Sequence, residues 1–294
     1  MAFQANCSII PPAAPSDAGI AGAGVLLSST ITSFLTLFLS ASLLLTPGSL
    51  SSSLIRRRLI SGYSDQQILI GIGIQSVGLV KASTLIPYHF FLIWMLSLLA
   101  TATHNTTLLT LVADFKRDWV LRWLRQFLMF VNLVLGCTYG AFVLLSKIRG
   151  LPGTLPIACA WEWDGQSEVL PMDFVGTVAA MVGNGVVFAA ATWYLHGRGE
   201  RRKWYRWVQV GGLVLMLGVA IGATTRAFLL SQAFGKPDVV LSDEGERVWS
   251  FGQLLGLLML LLPVVTVIEI LRGEVKLVEE NGEEGERKKL VGSV

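Results

Sequence analysis

The chain has 294 residues, of which 53% are hydrophobic and 15% charged, and its formal net charge is +3. This composition excludes an ordinary soluble domain, in which about 25% of the residues are charged. The apolar residues come in blocks of about 20, the length that a helix needs to cross the hydrocarbon layer of a bilayer. We therefore predict an all-α, multi-pass integral membrane protein of the plasma membrane or the endoplasmic reticulum.

Seven blocks are long enough to span a membrane, and they divide the chain into three parts. Residues 1–18 form an extracytoplasmic tail, 19–271 a seven-helix bundle and 272–294 a polar, disordered cytoplasmic tail. The predicted spans are 19–45, 66–84, 88–112, 127–146, 172–195, 207–230 and 248–271. Pro263 lies inside the last span, where we expect a kink because proline cannot continue the helical hydrogen bonds.

Basic residues are concentrated in alternate connections between the spans. Of the 23 Lys and Arg residues, 17 lie in the segments 46–65, 113–126, 196–206 and 272–294. Loops rich in Lys and Arg stay in the cytoplasm, so we predict the N-terminus outside and the C-terminus inside. The basic loops are expected to contact anionic membrane lipid, and they offer a surface to a cytoplasmic partner. No nucleic-acid partner is expected.

Four polar residues interrupt the middles of the predicted spans: Gln75, His104, Asn105 and Asn184. Polar groups are costly in hydrocarbon, so they face a bundle interior or a cavity. At about 1.5 Å per residue, Gln75 lies roughly 15 Å beyond Asp65, and His104 lies roughly 15 Å before Asp114. If the two acids mark one membrane face, Gln75 and His104 share a depth. The four residues either hold the helices together or line a ligand cavity.

A second polar set is expected at the outer end of the bundle and consists of Lys81, His89, Arg226 and Gln253. Long basic side chains at such positions either extend to the lipid headgroups or line a ligand vestibule beneath the long outer loop. No cluster of cysteine and histidine has the spacing of metal ligands, so neither a metal site nor a cofactor is expected.

The predicted outer segments carry two modification signals. Asn6-Cys7-Ser8 is an N-glycosylation sequon. Cys7 and Cys159 both lie on the predicted outer side, where disulfides persist. A bond between them and two unpaired thiols are both compatible with the sequence.

Three acids lie at the predicted inner rim: Asp65, Asp114 and Glu269. They are either helix caps and loop charges in water or, if the protein is an enzyme, proton donors. A carboxylic acid kept protonated at the membrane edge can act as a general acid, and His104 would then relay the proton.

The stretch from Tyr63 to Gly73, which begins Tyr-Ser-Asp-Gln-Gln, is followed in the next span by Thr-His-x-x-Thr-Leu at 103–108. In these two motifs the chain resembles a large group of filamentous-fungal multi-pass membrane proteins. The resemblance implies a heptahelical topology and a fungal source, and it supplies no mechanism. Asn105 and Thr106 depart from the apolar residues expected at those two positions of the motif.

Two functions follow from these observations. The first is a receptor-like or sensory heptahelical protein that binds an apolar or amphipathic small molecule between its helices. The alternative is a membrane-embedded enzyme of fungal secondary metabolism, similar in size to the small heptahelical terpene cyclases and using an acid to start cyclisation. The last predicted span contains no lysine, which argues against a retinal Schiff base.

Overall fold

The structure is a computed structural model, and it describes residues 5–46, 50–117, 119–165, 171–196, 203–269 and 271–273. Its α-helices are α1 (Ala18–Ala21), α2 (Ala23–Leu45), α3 (Leu50–Val80), α4 (Pro87–Thr110), α5 (Val112–Arg117), α6 (Trp119–Ile148), α7 (Pro171–His196), α8 (Lys203–Leu230) and α9 (Phe251–Leu258). Short 3₁₀ helices occupy Ile157–Trp161, Gly245–Arg247 and Met259–Leu261. Helix resumes over 262–269 and 271–273.

Among the described residues, six helical stretches are long and apolar enough to cross a membrane. They are Ala18–Leu45, Pro87–Thr110, Arg122–Ile148, Phe174–His196, Tyr205–Leu230 and Gly245–Gly273. The chain therefore has the architecture of an all-α, multi-pass membrane protein. The helix α3 packs in the same bundle but carries more polar and charged residues than these six.

The helix α4 lies at the centre of the bundle. It packs against α2, α3, α6, α7 and α8, and 94% of its apolar stretch is buried, against 12% for the last stretch of the chain. Its polar side chains can occupy such a central position because neighbouring helices, rather than lipid, surround them. We call the end of the bundle near Cys7 and Cys159 the disulfide end, and the opposite end, near Arg57 and Arg125, the arginine end.

Several helices extend beyond the predicted spans at the arginine end. The helix α3 begins at Leu50 rather than at residue 66, and α6 begins at Trp119 rather than at residue 127. Most of the segment 113–126, expected to be a loop, is therefore helical. The length of the apolar block sets how much of a helix can lie in lipid. Leu, Arg and Gln favour helix, so the helix continues beyond the apolar block.

The first and last spans are interrupted where the sequence contains Gly22 and Pro263. The backbone at Gly22 is extended and separates α1 from α2. A side chain at Gly22 or at Gly24 would collide with Gln253, so these glycines let the N-terminal helices approach α9. Pro263 follows the 3₁₀ turn Met259–Leu261, as expected from its missing N–H. The predicted tail from residue 274 onward, and the basic residues 197–202, lie outside the described residues.

Candidate functional site

Polar side chains of α3, α4 and α6 meet inside the bundle around Gln75. The Gln75 Nε2 atom donates to Asn132 Oδ1 at 2.6 Å and to the Gly71 carbonyl at 2.9 Å. The Tyr139 hydroxyl donates to the Gln75 carbonyl at 2.6 Å, and Asn132 Nδ2 donates to Thr101 Oγ1 at 3.5 Å. A side chain at Gly71 would lie 2.6 Å from Asn132 Oδ1, so glycine is needed for this close contact.

A second polar contact joins α4 to α7. The Asn105 Nδ2 atom donates to the Asn184 carbonyl at 3.2 Å and lies 3.4 Å from Asn184 Oδ1. Gln75, His104, Asn105 and Asn184 are each at most 1% exposed. The expectation that these four residues face the interior of the bundle is confirmed. Their binding of a ligand stays a prediction.

His104 lies nearer the arginine end than Gln75 does. Its Nδ1 atom is 3.4 Å from the Ser64 hydroxyl. Ser64 precedes Gln75 by 11 residues on α3, which corresponds to about 16 Å of helix. The expectation that Gln75 and His104 share one depth is therefore wrong.

The reason for this error lies in the ion pairs of Asp65 and Asp114. Arg125 Nη2 lies 2.5 Å from Asp65 Oδ2, and Arg57 Nη1 lies 2.7 Å from Asp114 Oδ2. Arg57 precedes Asp65 by two helical turns, so the two acids mark levels about 12 Å apart. Glu269 lies on an exposed face of the last helix. The three acids expected at the inner rim therefore do not converge on one site.

A small cavity lies between α4, α6 and α7 beside the Asn105–Asn184 contact. Its volume is about 10 Å³, which is close to the space that one water molecule needs. Its lining includes Trp94, Ser97, Thr101, Gly136, Met181 and Asn184.

Polar atoms without hydrogen-bond partners occur in the lining of this cavity and in side chains that contact its neighbours. Within the described part of the chain, Trp94 Nε1, which belongs to a lining residue, has no hydrogen-bond partner. The same is true of Gln75 Oε1 and Asn105 Oδ1, whose side chains contact Asn132 and Asn184. Each buried polar atom without a partner costs about 1–3 kcal/mol. A polar molecule that entered the cavity would regain part of this free energy.

The disulfide end contains a buried acid that the sequence interpretation missed. Glu246 Oε1 lies 2.9 Å from His89 Nε2, and the Tyr88 hydroxyl donates to Glu246 Oε2 at 2.6 Å. The backbone N–H of Gln232 donates to the same tyrosine oxygen at 2.9 Å. The side chains of His89 and Glu246 are 2% and 0% exposed, so lipid and bulk water are both excluded.

The structure gives Lys81, His89 and Arg226 different surroundings. Lys81 Nζ pairs with Asp17 Oδ2 at 2.8 Å, at the start of α1, and Arg226 lies on an exposed face of α8. His89 instead contacts Glu246. A ligand vestibule lined by these residues stays a prediction.

The loop before Glu246 is tied to the N-terminal tail. The Ala14 N–H donates to the Val240 carbonyl at 3.0 Å, and the Ser242 N–H donates to the Ala14 carbonyl at 2.8 Å. Hydrogen bonds, above all from the Ser16 hydroxyl, hold the pKa of Asp243 below its ordinary value. A carboxyl group whose pKa is lowered by folding stabilises the fold at pH values above its unfolded pKa, which is about 4 for Asp. This stabilisation disappears as the pH falls through the lowered pKa, so Asp243 makes its full contribution at neutral pH.

Cys7 and Cys159 form a disulfide in the structure, with their Cα atoms 5.6 Å apart. Cys159 lies in the 3₁₀ helix that follows Pro156, and the Ile157 N–H at its start donates to the Leu85 carbonyl at 2.8 Å. The bond therefore joins the N-terminal tail to the loop between α6 and α7, which is itself hydrogen-bonded to the turn between α3 and α4. Asn6 beside it is exposed, and its glycosylation stays a prediction.

Comparison with protein-family models, with curated proteins and with solved structures finds no match. The resemblance to fungal multi-pass proteins therefore stays an expectation from two short motifs. Within the described residues, no group of three His, Cys, Asp or Glu side chains is placed to hold a metal ion. Function must therefore be inferred from the geometry of the bundle.

That geometry connects the two ends through α4. Its first turn carries His89, held by Glu246, and its middle carries Trp94 and Asn105 beside the cavity. Near its last turn the Leu109 carbonyl accepts a hydrogen bond from Gln209 of α8 at 2.5 Å. The helix α4 therefore contacts both ends of the bundle as well as the cavity.

Proposed function

We propose that the protein is a receptor-like or sensory heptahelical membrane protein that binds an amphipathic small molecule between α4, α6 and α7. The observation that carries the proposal is the cavity beside Trp94, whose indole N–H has no partner among the described residues. A hydroxyl or carbonyl of the ligand would accept from this N–H, and its apolar part would lie between the helices. Polar groups placed within an apolar pocket are typical of small-molecule sites.

The cavity must widen to admit such a molecule, and α7 is the helix best suited to move. Only 22% of its apolar stretch is buried, against 94% for α4. Its contact with α6 places the flexible side chain of Met181 against Gly140, where an added Cβ would lie 2.7 Å from the sulfur. Methionine adapts to changes in packing, so this interface can open at low cost. Movement of α7 against α4 would be the response to the ligand.

We also propose that α3 is the seventh span, with the disulfide end outside and the arginine end in the cytoplasm. The polar residues of α3 are compatible with a membrane span, because they make hydrogen bonds inside the bundle. Gln67 Nε2 donates to the Ser29 carbonyl at 3.1 Å, and Gln75 contacts Asn132. The charge distribution supports this orientation. A disulfide is stable on the outer or lumenal side, in the plasma membrane or the endoplasmic reticulum.

The alternative of acid-initiated cyclisation has weaker support. Such an enzyme needs a protonated acid that faces its substrate. Asp65 and Asp114 are each paired with an arginine, so neither carboxyl group is placed against a substrate cavity. Glu269 is exposed, and His104 contacts Ser64 rather than any of the three acids.

The proposed binding site is tested by filling the cavity. An alanine at Gly136 would place its Cβ 2.9 Å from Ser97 Oγ, within the lining of the cavity. The protein in lipid nanodiscs is labelled with a long-chain alcohol that carries a diazirine, and the labelled peptides are mapped by mass spectrometry. We expect labelling in α4, α6 and α7, and Gly136→Ala should reduce it about tenfold, since a steric penalty of about 1–3 kcal/mol is typical.

Gly185→Ala is the matched control for this experiment. Gly185 also lies inside a spanning helix, but nothing lies within 4 Å of an added Cβ. Labelling of this variant should equal that of the wild type. Equal labelling of both variants, or label confined to lipid-facing residues, would contradict the proposed site. Thermal unfolding of both variants confirms that the comparison is between folded proteins.

A further inference from the structure

A second, larger cavity lies at the arginine end, among α3, α4, α5, α7 and α8. Its volume is about 140 Å³. Its polar lining consists of Arg57, Thr110, Lys116, Tyr194, Tyr205 and Gln209. It is separate from the cavity beside Trp94, since the two share no lining residue. The two cavities can therefore be tested with separate substitutions.

The lining has cations at the rim and buried hydroxyl groups within. Arg57 is 30% exposed in its side chain, and Lys116 is exposed, whereas Thr110 and Tyr205 are 8% and 4% exposed. Among the described residues, no Asp or Glu belongs to the lining. The Thr110 and Tyr205 hydroxyls donate to backbone carbonyls of α4, so an anion in this cavity would be held mainly by the charges of Arg57 and Lys116.

Arg57 retains capacity for a second anion. Its Nη1 atom donates to Asp114 at 2.7 Å, and its Nε atom donates to Ser53 Oγ at 3.3 Å. A guanidinium group has five N–H donors in a fixed fork, so two contacts do not exhaust it. Such a fork matches the oxygen atoms of a phosphate group.

Two tyrosines give the cavity a firm wall. The rings of Tyr194 on α7 and Tyr205 on α8 stack with an interplanar angle of 7°. Lys116 Nζ lies 5.1 Å from the centroid of the Tyr194 ring, a distance typical of a cation–π contact. Lys116 and Arg57 both belong to the lining of the cavity.

We propose that the cavity binds the phosphate group of an anionic ligand, with Arg57 and Lys116 as its cationic contacts. Its size suits a headgroup rather than a protein segment, because the space among the five helices is only about 140 Å³. Two sources supply such a group: a phospholipid of the adjoining leaflet and a soluble phosphate ester. Anionic lipids are attracted to clustered basic residues at a membrane surface.

The experiment uses the full chain in nanodiscs of zwitterionic lipid. A fluorescent short-chain phosphoinositide is titrated, and binding is followed by fluorescence anisotropy. One Lys or Arg near a membrane surface contributes about 1 kcal/mol, so Lys116→Gln should weaken binding roughly fivefold. The double variant Arg57→Gln, Lys116→Gln should weaken it roughly 25-fold. Lys116→Arg should restore most of the affinity.

Lys236→Gln is the matched control, because Lys236 is an exposed lysine in the loop at the disulfide end. It should leave binding unchanged. If it weakens binding as much as Lys116→Gln does, the effect is general surface charge and the proposal fails. Absence of binding also overturns it.

Competition then separates the two sources of phosphate. Displacement of the probe by soluble inositol phosphate identifies a phosphate ester as a sufficient ligand, whereas resistance to it identifies the membrane-anchored headgroup. Both outcomes support a phosphate site. The result is independent of the cavity beside Trp94, since Gly136→Ala should not change phosphoinositide binding.

Discussion

Replacement of Glu246 by alanine is expected to lower the free energy of unfolding by about 2–6 kcal/mol, because two buried groups lose their hydrogen-bond acceptor at about 1–3 kcal/mol each. The carboxylate is 0% exposed and lies 2.9 Å from His89 Nε2. It also accepts a hydrogen bond from the Tyr88 hydroxyl at 2.6 Å. Alanine would leave both groups buried without their acceptor, together with a cavity. Thermal unfolding in detergent, followed by tryptophan fluorescence, measures the loss.

Most of this loss in the free energy of unfolding should come from the lost polar contacts. Glu246→Gln keeps the shape and an acceptor oxygen for Tyr88, so it should cost less than Glu246→Ala. A neutral hydrogen bond is worth about half as much as a charge-assisted one. The double replacement Glu246→Leu, His89→Leu should recover part of the loss, since an apolar pair of similar volume often replaces a buried ion pair without penalty.

Glu244→Ala is the matched control, two residues away in the same loop. Glu244 lies 3.4 Å from Arg247, and its side chain is 75% exposed. Exposed pairs contribute about 0–1 kcal/mol, so the unfolding temperature of this variant should stay close to that of the wild type. Equal shifts for Glu244→Ala and Glu246→Ala would show that Glu246 is not buried in the membrane-inserted protein.

The sequence could not have identified Glu246. Four acids lie between residues 231 and 247: Asp238, Asp243, Glu244 and Glu246. Loop acids are normally solvated, and nothing local distinguishes the buried one. Tyr88 and His89 at the start of an apolar helix indicate that a polar partner is needed, but only the folded connection between α8 and α9 shows which acid supplies it.

The arrangement of apolar blocks, by contrast, predicts most of the spanning helices correctly. Length and hydropathy predict helices whose cores match α2, α4, α6, α7 and α8, because crossing a bilayer requires about 20 apolar residues. The cost of polar groups in hydrocarbon correctly predicts that Gln75 and Asn105 face inward. Their hydrogen-bond partners depend on the register between helices and on which helix faces meet. An incorrect register between α3 and α4 placed His104 several helical turns from its position in the structure.

The disulfide provides a second large effect. Cys7 and Cys159 are separated by 152 residues, and closing a loop of that length in a random chain corresponds to about 5 kcal/mol. The intervening helices stay in the membrane when packing is lost, so the unfolded state is already restricted. We therefore expect Cys159→Ser to lower the free energy of unfolding by about 2–3 kcal/mol, at the lower end of the range for native disulfides.

Cys159→Ser is preferable to a change at Cys7, because Cys7 lies within the sequon that begins at Asn6. Cys137 provides the control: it is a free, half-buried cysteine on α6, and Cys137→Ser removes a thiol without removing a disulfide. Reductant should lower the unfolding temperature of the wild type and of Cys137→Ser but not that of Cys159→Ser. If reductant leaves all three unchanged, the tail is held to the bundle by non-covalent contacts such as the hydrogen bonds of Ala14 and the ion pair of Asp17 with Lys81, and the covalent link contributes nothing to stability.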